Sequence, residues 1–182
     1  MNSLKNHFLI SVPHLKDPFF DKSVVYLCEH DKEGAMGFII NKAIKKNNIT
    51  LEDSSSDIEL NKYLEENYLH IGGPVLTDKV LFLHTDNEIS KSVPVNNEVS
   101  ISGNIELFSS IQKSEDVKSK LFLGHAGWGS GQLEREIENG DWLIQKSNTN
   151  LIFEQEIDNI WIMVTKSLGI EIGDISNTPD YS

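Results

Sequence analysis

The eight residues Gly124-His125-Ala126-Gly127-Trp128-Gly129-Ser130-Gly131 hold four of the chain's 12 glycines. Glycine is costly inside regular structure. It is kept where φ must be positive or where two backbones approach closely. The run therefore restricts the fold more than any other segment. On its N-terminal side, Lys120-Leu121-Phe122-Leu123-Gly124 is nearly all apolar, the pattern of a strand covered on both faces. On its C-terminal side, Leu133 and Ile137 lie four apart on one face of a helix over 131–139, with Gly140 as its stop. The reading is strand, glycine-rich turn, helix, with Ser130 as the helix cap.

Such a turn presents free N–H groups at a helix start and can hold an anion. The spacing matches no nucleotide fingerprint. A phosphate loop needs G-x-x-x-x-G-K-[ST], and a dinucleotide loop needs G-x-G-x-x-G, whereas the glycines here fall at 127, 129 and 131. Glu134 and Glu136 already complement the helix dipole and would repel an anion. Trp128, set between two glycines, either plugs the core or lines a cleft.

The rest of the chain alternates strands and helices. Residues 7–12 read as a strand ended by Pro13. Ser23 to Glu29 and Met36 to Asn41 are β-rich runs joined by the polar turn His30 to Gly34, a hairpin pattern. Residues 42–58 read as a loop, with a short helix over 58–64. Tyr68 to Ile71 leads into Gly72-Gly73-Pro74, and Val80 to His84 is a further strand. Residues 93–95 and 99–101 read as edge strands, because Pro94 cannot serve a central ladder. Asn104 caps a helix to about Lys113 that buries Ile105, Phe108 and Ile111. Trp142 to Ile144 is a strand, and Asp158 caps a last helix to Leu168 closed by Gly169. The expected fold is α/β in the broad sense (α+β), a mixed, largely antiparallel sheet packed with helices. Residues 1–169 form a single domain on this reading, and 170–182 are a flexible tail.

Composition sets outer limits. A chain of 182 residues is long enough to bury a core without staples, and its one cysteine, Cys28, excludes an intrachain disulfide. The apolar run Phe8 to Val12 is too short for a signal peptide, so a cytoplasmic protein is expected. No segment has the length and apolarity of a membrane span. The net charge of −12, with Arg135 as the only arginine, disfavours direct nucleic-acid binding and anionic membranes.

No complete catalytic signature is present. His30, His84 and His125 each follow a strand, so they could converge as a zinc site, but no helical H-x-x-x-H or Cys-x-x-Cys pair supports one. Cys28 and His30 share a strand face at a spacing too long for direct activation, and Ser130 lacks the full G-x-S-x-G elbow. Asn41 is positioned to fix a turn through its amide. No cofactor or metal is assigned. The main site hypothesis pairs two glycine-rich strand ends, Gly72-Gly73-Pro74 and residues 124–131. They would form opposite walls of a cleft, with His84, His125, Gly127, Trp128, Gly129, Gln132 and Glu136 near its mouth.

A set of motifs, in order, points the same way: Asp17-Pro18-x-Phe20, Ser23-Val24-Val25-x-Leu27, His30, Gly34-Ala35-Met36-Gly37-x-Ile39-x-Asn41, Gly72-Gly73-Pro74-Val75, Leu83-His84, Gly127-Trp128-x-x-Gly131-Gln132-Leu133-Glu134-x-Glu136 and Trp142. Together they resemble the AlgH-like (YqgE) family of bacterial proteins. The resemblance implies that family's mixed fold, a bacterial cytosolic setting and no settled reaction. Members often carry the label of transcriptional regulator. The functional expectation is a binding or regulatory module that takes a small ligand or a protein partner at the glycine-rich cleft. The alternatives are a DNA-acting regulator, and a hydrolase or transferase working at the same cleft.

Overall fold

The computed structural model describes residues 2–13, 15, 17–44 and 55–170. The first half holds β1 (His7–Ser11), β2 (Val24–Asp31), β3 (Gly34–Ile39), β4 (Ala43–Ile44), α1 (Ser55–Glu66), β5 (Leu69–Ile71) and β6 (Val75–His84). The second half holds β7 (Val93–Pro94), β8 (Ser100–Ser102), α2 (Ile105–Ile111), β9 (Ser119–Gly129), α3 (Gln132–Glu138), β10 (Trp142–Lys146), α4 (Thr149–Phe153) and α5 (Ile157–Ser167). The ladder runs β10-β1-β2-β3-β9-β6-β8-β7 with antiparallel pairing at each step. A branch adds β4, antiparallel to β5, and β5, parallel to β9. This curled sheet with five helices is the α+β architecture expected.

Period-two alternation explains why both faces are covered. Phe8 and Ile10, Val24 and Tyr26, and Phe38 and Ile40 join one cluster under α4 and α5. Their neighbours Leu9, Val25, Leu27 and Ile39 join a cluster on the other face with Leu133 and Trp142. A third cluster packs Tyr63 and Leu64 of α1 and Phe108 and Ile111 of α2 on Phe82 and Leu121.

β9 is the hinge of this arrangement. Its first half pairs with β6 and β5, and its last four residues pair with β3. Phe122 faces the first cluster, yet Ala126 and Trp128, at the same parity, face the opposite one. The reversal falls at Gly124, whose φ of +66° is open to glycine at little cost.

The structure revises several expectations. Residues 124–129 are strand, not turn, because they find partners in β3 and Val75. Gly131, at φ +67°, takes the cap position of α3, and Ser130 instead donates its hydroxyl proton to the Lys32 carbonyl at 2.7 Å. Glu156, not Asp158, precedes α5. A short helix that the sequence reading left out, α4, starts where the Asn148 side chain accepts from two backbone N–H groups. α1 begins at Ser55, earlier than 58, and the expected loop contains β4. The remainder of that loop, 45–54, and nearly all of the expected tail, 171–182, lie outside the described residues. Asn104 caps α2 as expected, and Val93–Pro94 lies at the sheet edge. Among the described residues no helix is long and apolar enough to cross a membrane.

Candidate functional site

The two glycine-rich segments do meet, but backbone to backbone. Gly72 donates its N–H to the Leu123 carbonyl at 2.9 Å and accepts from the Ile39 N–H at 2.8 Å. It thus fills the fork where β3 and β9 separate. A Cβ at Gly72 or Gly73 would fall well under 3.0 Å from the Gly124 carbonyl or the His125 backbone. These glycines are buried, and the space expected between two cleft walls is taken up by the seam itself. On the outward side stand exposed Pro74, Gly127 and Gly129 and the half-buried His125 ring, beside exposed Val75 and Leu76.

Trp128 resolves as a core plug. Its ring packs edge-on against Trp142 at 5.9 Å and lies 6.3 Å from Phe20. Its indole Nε1 donates to Glu136 Oε2 at 2.8 Å, and Trp142 Nε1 donates to the same oxygen at 2.9 Å. Gln132 Nε2 donates to Glu136 Oε1 at 2.9 Å, while Gln132 Oε1 accepts from the Gly129 N–H at 3.0 Å. Glu136 and Gln132 therefore tie α3 to the tryptophan pair.

His30 is held in one tautomer. The Leu4 N–H donates to Nδ1 at 2.7 Å, which requires a lone pair there, so Nε2 carries the proton shared with Glu134 Oε1 at 3.0 Å. The Glu134 backbone N–H and His30 hold that carboxyl below the usual carboxylate range. The three histidines that could have converged as a zinc site, a possibility the sequence spacing did not support, do not come together. His30 is in register with Ala35, His125 with Val75, and His84 with Ser100 and Ser119. Ser119 and Gly127 are eight residues apart on one strand, roughly 25 Å at ~3.3 Å per residue. His84 is thus remote from Trp128, buried and bonded to Ser92 Oγ at 2.8 Å. Among the described residues no group of three metal-ligating side chains forms. Cys28 is buried, which pushes its thiol up, away from the reactive thiolate. Asn41 fixes its turn as expected, accepting from the Val24 N–H and donating to the Lys22 carbonyl.

A different site emerges on the β5–β9 side, and the sequence reading missed it. A cavity of about 270 Å³ lies between the end of α1, β5, the start of β9 and the α4–α5 link. His70 lines it. Its side chain is buried, and neither ring nitrogen has a hydrogen-bond partner. Burial first, and the nearby Lys120 charge second, push its pKa down to about 3, so the ring is neutral. The Leu121 backbone favours protonation slightly, although no pair reaches hydrogen-bond geometry. Lys120 also lines the cavity, and burial pushes its pKa down to about 8 against the opposing pull of Glu156. Sequence offered little signal for this pairing, because parallel β5–β9 contact joins segments far apart in the chain.

A curled antiparallel sheet forked by a parallel strand and packed with five helices makes this an α+β domain, the fold of the AlgH structures. The AlgH-like family model matches residues 8–173, and the chain belongs to that family. A UPF0301 protein of Marinomonas sp. (strain MWYL1) is 38% identical over 177 residues, covering 96% of this chain and 94% of the relative. A UPF0301 protein of Shewanella frigidimarina is 35% identical over 186 residues, covering 97% of each. The solution structure of the AlgH protein from Pseudomonas aeruginosa aligns with a TM-score of 0.74 at 28% identity, covering 100% of this chain and 97% of that one. The crystal structure of protein DIP2367 from Corynebacterium diphtheriae, at 19% identity and a TM-score of 0.71, covers 98% of this chain and 93% of that one and shares the fold.

Proposed function

We propose that this protein is a cytosolic regulatory module that binds a small ligand in the cavity lined by His70 and Lys120. The observation that carries the proposal is the unpartnered His70 ring. Each buried polar atom left without a partner costs about 1–3 kcal/mol, and native folds seldom keep two on one side chain. Both nitrogens are closed to solvent, so a ligand that displaces the cavity wall and offers one donor and one acceptor would remove that cost. The Lys120 ammonium beside it adds a charge whose field is strengthened by burial. Native mass spectrometry of the full chain, isolated gently from its own cells, tests the reading. The expected result is a noncovalent adduct present in the natural protein and lost in His70→Phe. A bare mass for both proteins, in repeated preparations, would sink it.

A second reading rests on Leu76. This residue is 55% exposed and adopts φ +50° without being glycine, a conformation that surrounding structure must impose. With Val75, Pro74, His125 and Gly127 it forms an outward surface over the glycine seam, suited to a protein partner. A photocrosslinking residue at position 76 should give one discrete adduct in cells, and a diffuse smear would count against this surface.

A further inference from the structure

We infer that Ser92 is a nucleophile and His84 its general base, forming a second site that hydrolyses or transfers the acyl group of a neutral ester. Ser92 Oγ lies 2.8 Å from His84 Nε2, within the reach that direct activation requires. His84 is fully buried on β6, whereas Ser92 is half-buried at the rim of the sheet, one residue before the outermost strand β7. The base is thus held in the core, and the residue carrying the hydroxyl borders solvent. Burial lowers the pKa of His84 below its ordinary 6.5, against the opposing pull of the Asp86 carboxylate and backbone, so the ring is neutral at pH 7 and can accept a proton. Nδ1 is buried and makes no hydrogen bond. With Nε2 facing Ser92, the ring proton that Asp86 favours falls on Nδ1, which leaves the Nε2 lone pair to the Ser92 hydroxyl. That is the tautomer a general base needs. The surrounding loop is fastened on several sides. Ser102 Oγ donates to the Lys91 carbonyl at 3.2 Å, Ser100 Oγ donates to Asn87 Oδ1 at 2.7 Å, and Asn87 Nδ2 donates to the Asn97 carbonyl. Lys91, immediately before the nucleophile, is held at φ +71°, a conformation that only such ties sustain in a residue other than glycine. In the reaction the Ser92 hydroxyl proton passes to His84 Nε2 as Oγ bonds to the ester carbonyl carbon. The ester C–O bond then breaks, and the leaving alkoxide takes the proton from Nε2. Water cleaves the acyl-serine by the same two transfers, releasing the acid and restoring both groups. Asp86, Glu88 and Glu98 in the adjoining loops outnumber Lys91, which favours a neutral substrate over an anionic one.

The test treats the full chain with an alkyl fluorophosphonate, locates the adduct by peptide mass spectrometry, and follows release of p-nitrophenol from p-nitrophenyl acetate. The fluorophosphonate should leave one phosphonyl group on Ser92, with fluoride expelled, and Ser92→Ala should lose both the adduct and the ester cleavage. His84→Phe should slow labelling of Ser92 by about 100-fold or more, the lower range for removal of a general base. Ser90, exposed two residues upstream, is the reference hydroxyl within the natural chain. Ser92 should be labelled about 100-fold faster than Ser90, and this comparison decides if His84→Phe fails to fold. No adduct at millimolar probe, equal labelling of Ser90 and Ser92, or an unchanged rate in a folded His84→Phe protein overturns the assignment and leaves the Ser92–His84 contact as a packing hydrogen bond.

Discussion

Glu136 and His70 show two opposite ways of burying polarity. The Glu136 carboxylate accepts from two indoles and one amide, so both of its oxygens are engaged and its position is fixed. Removing it would orphan two indole N–H groups, each worth about 1–3 kcal/mol. His70 has no such partners, and its ring is kept neutral by burial. Its pKa falls from an ordinary value of 6.5 to about 3 on folding. A depressed pKa means that the unfolded chain binds the proton more readily. The neutral ring's contribution is therefore complete above pH ~6.5 and is lost as pH falls toward 3. Urea unfolding between pH 7 and 4 should show His70→Phe losing less stability on acidification than the natural protein, by up to about 1.4 kcal/mol per pH unit. At pH 7 the variant should be at least as stable, because phenylalanine leaves no polar atom unpaired and can keep the ring contact that His70 makes with Phe122, 5.1 Å between centroids. Parallel pH profiles for the two proteins would remove the buried neutral histidine from the account.

At the scale of the element, β9 explains why the glycine run exists. Its glycines do two different jobs, and substitution separates them. Gly73 and Gly124 meet across the seam, where a Cβ at Gly73 has no room beside the His125 backbone. Gly127 lies on the exposed side, and a Cβ there would meet only His125 and Val75 side-chain atoms at 3.7 Å, ordinary contact. Gly73→Ala should cost more than about 2 kcal/mol through overpacking, whereas Gly127→Ala should stay within about 1 kcal/mol. Urea midpoints of the two variants check the contrast, and equal midpoints would mean that the seam yields. The hairpin of β2 and β3 and the cap at Asn104 were readable because both depend on neighbours in sequence. Ser130 misled for the same reason. A serine before a helix is a sound local cap, but its hydroxyl is captured by the Lys32 carbonyl across the hairpin.

Across the whole molecule, the charge of −12 surrounds a domain whose helices cover both faces of one curled sheet. A surface of that sign gains nothing from phosphate counterion release. Gel mobility assays at low salt should show no shifted complex with duplex DNA at micromolar protein, and a sequence-specific shift would revive a direct regulatory role on DNA. The amino-acid pattern by itself determined the α+β class, most strands and helices and the AlgH-like membership, because alternation, capping and motif order are properties of contiguous residues. Only the tertiary structure decided that residues 124–129 pair as strand, that Gly72 and Gly73 close a seam, and that His84 stands far from Trp128. It alone placed His70 beside Lys120. The physical reason is that strand partners and register are set by contacts between distant segments. The same apolar alternation is compatible with several neighbours until packing selects one.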